Sequence, residues 1–531
     1  MNDPGMNISE GRKVGRAAGT VGFFTLISRI LGLIRDMVIA GFFGSGMAAD
    51  AFFVAFRIPN LLRRLFAEGS LTVAFIPVFT QYLRQKSKEE AFDLARVTLT
   101  LLSLLLVVVT IVGILSAPWI VRIQAFGFGD SGAKYELTVL LTRITFPYIL
   151  FISLVAFFMG VLNSLRHFAS PAAAPIFLNV GIIACTLWLS PHCPEPIMGV
   201  AIGVLLGGSL QLALQIPVAL NLGVSLWPRW MPGHPAVKRI GLLMLPTIFG
   251  SAVYQLNQFV GTLLASFLPE GSVSWLYYAD RLVQFPLGVF AIAISTAALP
   301  SLSKHVADQD LHEFNHTLSH ALRMVSTAAI PSTVGLMILG KLIIQVLFQR
   351  GAFDALSTEM TYQALVFYSL GLYAFSGIRV IVSAFYALQD TRTPVKVACI
   401  ALVANLIFSL LLMGPLKHGG LALSLSLAST IQLFLLVLIL RKRIVNWQIG
   451  HLSFSVFKSL LASAVMGVAL LWAIGRWWGS DPGTGLWQLS TRLIILVLGG
   501  SMVYFGMAAA LGSKEVLFVL NRFAPILRKM K

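Results

Sequence analysis

The chain has 531 residues, 57% of them hydrophobic and only 11% charged, whereas soluble domains carry roughly 25% charged residues. So few charges exclude a soluble enzyme, a disordered scaffold and a secreted disulfide framework, and apolar runs of about 20 residues recur along the whole length, so the fold class is an all-α polytopic membrane protein. The formal net charge of +18 then reads as topogenic and carries no argument for nucleic acid.

Arg12, Lys13 and Arg16 precede the first apolar stretch as they would in a signal peptide. Arg29 and Arg35 interrupt that stretch and no small-residue cleavage site follows, so it is expected to remain as a first membrane helix. Fourteen segments can cross a core of roughly 30 Å at about 1.5 Å per residue. They are 18–43, 46–67, 93–120, 137–163, 172–190, 197–221, 240–267, 273–299, 319–348, 360–387, 395–414, 419–440, 453–475 and 488–511. The second is the least hydrophobic and runs on through Pro59 and Gly69 towards Pro77.

Basic and non-basic connections alternate along this series, as a multi-pass chain requires. The N-terminal tail, Arg84 with Lys86, Lys88 and Arg96, Arg166, Arg229 with Lys238 and Arg239, Lys304, Arg392 with Lys396, Arg441 to Arg443 and the tail after Lys514 fall on one side. That side is predicted to be cytoplasmic, with both termini on it. Arg122, Lys134, Arg350, Lys417 and Arg476 break the pattern.

A shift of 223 residues lays Pro77 on Pro300 and Pro171 on Pro394, which suggests a repeat of six helices. The chain then divides into a tail (1–17), an N-lobe of six helices (18–222), a C-lobe of six (223–441), a further helix pair (442–511) and a basic cytoplasmic tail (512–531). In that tail Leu517, Leu520 and Phe523 alternate with Arg522, Arg528 and Lys529, which suits either an interfacial helix or a plain topogenic tail.

Cys185, Cys193 and Cys399 form no CxxC pair, and no GxxxxGK[ST] phosphate loop, HExxH or GxSxG set in a suitable setting occurs. The expectation is a transporter with no enzyme activity and no cofactor, powered elsewhere or coupled to the membrane potential or an ion gradient. His312, His316 and His320 share a spacing that could face a metal, but they sit beside Glu313 and Asn315 at a loop and read as a solvated face, so no metal is assigned.

Ionisable groups inside spans normally face a cavity or a partner. At 100° per residue, Thr25, Ser28, Arg29, Gly32, Arg35 and Asp36 share an arc of about 120° on the first segment, with Ile and Leu on the remainder. Asp50, Arg57, Asn60 and Arg64 lie close to one face of the second, with Arg63 turned away. Tyr277, Asp280, Arg281 and Gln284 share an arc of the eighth, and Arg379 adds a cation to the tenth. Arginine presents paired donors and stays charged when desolvated, so the set points to a phosphorylated or pyrophosphorylated substrate. Structural salt bridges and snorkelling are the alternatives, and they weigh most on Arg63, Arg64 and Arg379.

Three blocks carry a resemblance. Ser28 to Asp36 (SRILGLIRD), Ala49 to Gly69 (ADAFFVAFRIPNLLRRLFAEG) and Gly271 to Leu282 (GSVSWLYYADRL) closely resemble the MurJ (MviN) lipid II flippase family, and further matches spread over nearly the whole chain. The resemblance implies the multidrug/oligosaccharidyl-lipid/polysaccharide (MOP) exporter fold: 14 transmembrane helices, two six-helix lobes around a central cationic cavity, and a C-terminal pair forming a groove for the lipid tail. It implies that Arg29, Arg35, Arg57 and Arg281 handle the lipid-linked substrate and that Ser28, Asp50, Glu68 and Asp280 are functional or gating positions. The residues themselves then suggest that these arginines, with Ser28, meet the pyrophosphate and that Asp36, with Asp50 and Asp280, is their charge partner while substrate is absent. Gln284 departs from the acid that relatives can carry there, and Arg379 stands where some have lysine. The implied setting is the bacterial inner membrane, with lipid II, membrane lipids and cell-wall synthesis proteins as partners. A flippase for another polyprenyl-diphosphate-linked glycan is the nearest alternative. A drug antiporter of this fold would favour an acidic cavity, and an enzyme acting on polyprenyl phosphate would need an acid–base or metal set.

Overall fold

The computed structural model describes residues 4–63, 71–444, 449–477 and 485–518, with backbone alone for 4–18, 246–251, 254, 449, 451 and 477. Every regular element among them is helical. They are α1 (Pro4–Phe43), α2 (Met47–Leu62), α3 (Thr72–Gln85), α4 (Lys88–Leu115), α5 (Ala117–Gln124), α6 (Ala133–Thr145), α7 (Tyr148–Ser164), α8 (Ala169–Ala184) and α9 (Ile197–Asn221), then α10 (Pro235–Ser266), α11 (Ser272–Pro286), α12 (Ile292–Ala307), α13 (Leu311–Leu347), α14 (Ala355–Leu370), α15 (Leu372–Ala387), α16 (Arg392–Arg443), α17 (Ile449–Trp477) and α18 (Leu486–Ala510). Nine described helices are long and apolar enough to cross a membrane, or ten spans if α14 and α15 together count as one. Glu68, Arg64 and the end of the second predicted segment lie outside the described residues.

Several expected continuous segments are interrupted, and the breaks follow imino acids and glycine. The segment predicted over 93–120 splits between α4 and α5, where Pro118 begins a new helix. Pro147 separates α6 from α7. Pro286 precedes a wider turn at Leu287–Ala291, and α14 and α15 meet at Gly371 with a bend of 42°. The 52 residues of α16 would reach about 78 Å as one straight helix. They are two helices joined at Lys417 (φ 49°, ψ −130°), matching two separate expected segments.

The chain forms two compact units, one of residues through Ser274 with Gly351–Phe353, the other of Trp275–Arg350 with the residues from Asp354 onward. In the first, α8 packs on α9 and on α1, α2 on α6, and both α3 and α4 on α7. Apolar surface gives little drive for association inside a bilayer, so close approach through small residues matters. A Cβ on Gly207 would stand 2.7 Å from the Leu178 Cα, and one on Gly203 2.8 Å from the Ile182 Cα, so α8 and α9 touch backbone to backbone only because these positions are glycine. Phe75, Phe79 and Phe157 fill the space among α3, α4 and α7.

In the second unit α13 is the central element, packed against α12, α14, α15, α17 and α18. Leu339, Leu342, Met466, Leu470, Leu496 and Tyr504 form the seam with the terminal pair. Where α18 ends, Glu515 is buried and accepts from Arg323 Nε at 2.7 Å and Ser513 Oγ at 3.1 Å. Burial alone would raise its pKa, but its own amide, Ser513 and Arg323 outweigh that and hold it lowered.

Four of the five cations that broke the loop-charge alternation have local explanations. Arg122 pairs with Asp130 at 2.8 Å and Lys134 with Asp50 at 2.8 Å. Arg350 Nη2 donates to the carbonyls of Val346 and Leu347 at 2.7 and 2.8 Å, closing the end of α13. Arg476 stands in the last turn of α17, where the helix dipole favours a cation.

Asp390 organises the connection before α16. Its carboxylate accepts from the Arg392 and Thr393 amides and the Thr393 hydroxyl, and pairs with Arg443. Burial would raise its pKa, but the Thr393 and Arg443 contacts together lower it from 3.8 to about 2. A depressed carboxylate stabilises the fold above its unfolded pKa, and that contribution is lost as pH falls through the folded value. Thermal unfolding of purified protein should therefore show wild type losing its margin over Asp390→Asn as pH falls from about 4 to about 2, with a constant margin higher up.

Candidate functional site

In α1 the polar positions are built around Arg35. Its Nε and Nη2 donate to Asp36 Oδ1 at 3.0 and 2.7 Å, and its Nη1 donates to Asn179 Oδ1 at 3.1 Å. Asn179, on α8, donates in turn to the Ser28 carbonyl at 3.0 Å. Asp36 is 3% exposed and Asn179 5%, so the guanidinium is held by buried acceptors. Ser28 and Asp36 thus join Arg35 in one cluster, while Arg29 is an exposed residue of the same helix.

Arg57 on α2 is placed by α10. Its Nη1 donates to Thr262 Oγ1 and, at 3.4 Å, to the Gln258 carbonyl. Both acceptors are neutral. Asn60 and Arg63 are half-buried further along the same stretch.

Asp50 differs from the expectation that it would pair with an arginine. Its Oδ2 accepts from Lys134 Nζ at 2.8 Å and from the Gly271 amide at 2.8 Å. Its Oδ1 accepts from the Ser274 amide at 2.9 Å and the Ser274 hydroxyl at 2.7 Å. Lys134 also lies 4.1 Å over the Phe128 ring. With Asp50 at 1% exposure, its cation is Lys134 at the start of α6, while Arg35 and Arg57 bond to other groups. The carboxylate clasps Gly271 and the first turn of α11.

In the second unit, Arg281 Nη2 donates to the Tyr277 hydroxyl at 2.9 Å and its guanidinium lies 4.8 Å from the Tyr277 ring centroid. Gln284 Nε2 donates to Asp280 Oδ2, so the amide at 284 serves an acid one turn earlier. These four residues share a face of α11, as the helical wheel requires. Arg379 is exposed on α15. Among the described residues no group of His, Cys, Asp and Glu is arranged to hold a metal, and His312 lies beside Glu313 at 3.8 Å.

Three side chains in this arrangement were not singled out from sequence. Asn179 was a lone amide in the apolar fifth segment, and a buried asparagine in such a run was the available signal. Thr262 gave none, because hydroxyls commonly bond their own helix, as Thr262 also does to Gln258. Lys134 figured only as an exception to the charge pattern.

Long apolar helices that carry arginines held by an amide, hydroxyls and a carboxylate define a polytopic membrane protein. The comparisons place that class. The "Lipid II flippase MurJ" family matches residues 39–489. A "Lipid II flippase MurJ" of Burkholderia cenocepacia is 38% identical over 510 residues, covering 95% of this chain and 98% of that protein. A solved lipid II flippase MurJ in an inward closed conformation superposes with a TM-score of 0.78 at 28% identity, covering 92% of this chain and 98% of that one. A MATE family multidrug resistance transporter of the MOP superfamily, inward-facing, shares the fold at TM-score 0.69 and 15% identity, over 79% of this chain and 95% of its own. The chain belongs to the MurJ lipid II flippase family, a family of transporters within the MOP fold.

Proposed function

We propose that this chain flips lipid II from the cytoplasmic to the periplasmic leaflet of the bacterial inner membrane by alternating access. Family membership supports this reading, and the observation that carries it is the Arg35 cluster. A permanently charged fork is kept in a buried setting by one carboxylate and one amide, partners that a diphosphate can replace. The barrier to flipping is the passage of a charged head through hydrocarbon, and a cationic lining lowers it by substituting fixed donors for water.

On this reading the chain crosses fourteen times with both termini cytoplasmic. Lobes 18–222 and 223–441 enclose a cationic cavity, and the pair within 442–511 guides the polyprenyl tail. Arg29, Arg35, Arg57 and Arg281, with Ser28, contact the diphosphate. Asp36 and Asp280 pair with cations while the cavity is empty, and Asp50 and Glu68 act at the gates. Arg63, Arg64, Arg379 and Gln284 are secondary contributors. The membrane potential or an ion gradient drives the cycle, and the cell-wall synthesis machinery consumes the product.

The test is reconstitution. Purified protein in vesicles loaded with labelled lipid II should move label to the opposite leaflet, where a membrane-impermeant reagent can reach it. Failure to move lipid II while moving another polyprenyl-diphosphate-linked glycan would transfer the assignment to that substrate.

A further inference from the structure

The connection between α9 and α10 has no regular structure, yet it is firmly tied down. The Trp227 amide donates to Ser225 Oγ at 3.2 Å, and the Trp227 carbonyl accepts from Arg96 Nε at 3.0 Å. The Arg229 amide donates to Thr100 Oγ1 at 2.9 Å, and its guanidinium pairs with Asp93. Pro228, Pro232 and Pro235 restrict the rest. His234 caps α10 by accepting from the Ala236 amide, and Arg239 donates to Gln81 at the end of α3.

This rigid strap presents two indoles outward. Trp227 is 76% and Trp230 64% exposed. A fixed loop holding two bare indoles in water would be costly, whereas an indole at the headgroup level satisfies both its ring and its N–H. The surroundings are basic: Arg84, Lys86, Lys88, Arg96, Arg229, Lys238 and Arg239 against Glu89, Glu90 and Asp93. His234 senses this field, its pKa being lowered first by burial and then by Lys86 and Arg229.

We propose that the Leu222–His234 strap, with the end of α3, is a docking surface for anionic phospholipid headgroups, Trp227 and Trp230 entering the interface and Arg84, Lys238 and Arg239 meeting the phosphates. The charge complementarity selects an anionic leaflet, and the loop's position between two helix ends keeps it at the bilayer surface. Electrostatic attraction of this kind is worth about a fivefold change in affinity per basic residue.

Full-length protein in phosphatidylcholine nanodiscs is supplied with brominated phosphatidylglycerol or brominated phosphatidylcholine, and tryptophan quenching is compared. Brominated phosphatidylglycerol should quench more. The excess should fall to half or less in Trp227→Phe/Trp230→Phe, and the phosphatidylglycerol needed for half-quenching should rise at least about fivefold in Arg84→Gln/Lys238→Gln/Arg239→Gln. Equal quenching by the two lipids, or an excess untouched by the phenylalanine variant, overturns the proposal. So does loss of the excess when lipid II is added in trace amount, which would assign the surface to substrate capture. Flipping by wild type in the same nanodisc preparation is not required, so this result stands apart from the transport assignment.

Discussion

Arg35→Ala should abolish lipid II flipping, by at least about 100-fold, while the protein remains in the membrane fraction. Charge-assisted hydrogen bonds contribute about 1.5–3 kcal/mol each, so losing two to a diphosphate corresponds to 10²-fold or more. Removing the guanidinium also leaves Asp36 buried beside an amide that has lost a donor, which by itself could cost about 3–5 kcal/mol. Two further variants separate the effects. Arg35→Ala/Asp36→Asn relieves the buried charge and should recover stability without recovering flipping. Arg35→Lys keeps the charge but loses the planar fork and should retain partial activity. Flipping and membrane levels are read together, and a stable, fully active Arg35→Ala protein would remove Arg35 from the substrate path.

Asp50→Ala should be the most destabilising single change at these sites. The carboxylate accepts from four donors on two separate segments and neutralises Lys134. Breaking a buried pair from one side typically costs about 3–5 kcal/mol, because the remaining charge is stranded. Lys134→Met strands the carboxylate instead, but three neutral donors still serve it, so its cost should be smaller. Asp50→Ala/Lys134→Met should be more stable than Asp50→Ala alone. Unfolding of purified protein in detergent measures all three. If the double variant is no better than Asp50→Ala, then Lys134 is not the partner that matters.

Much of this was legible in the sequence because the bilayer restricts the choices. Among the described residues helices fall where apolar run length expected them, and a wheel of the first segment put Arg35 and Asp36 on one face, where Arg35 meets Asn179. The breaks were harder to read. Pro118, Pro147 and Gly371 interrupt segments that run length had left continuous, because apolar run length does not separate one helix from two. Partner identity was harder still. A wheel places Asp50 and Arg57 near one face but says nothing of α6 or α10, and it is Lys134 and Thr262 on those helices that take up the two charges. Pairings of this kind depend on which helices pack together, and no single-helix pattern contains that information.

Lipid II flipping by this chain is read out by acutely depleting the protein in its growing host and measuring how much lipid II is accessible on the outer face of the inner membrane. Outward-facing lipid II should fall while precursor accumulates on the cytoplasmic side and the cells lyse. Unchanged exposure with normal growth would contradict this assignment, and would mean that another protein carries that flux.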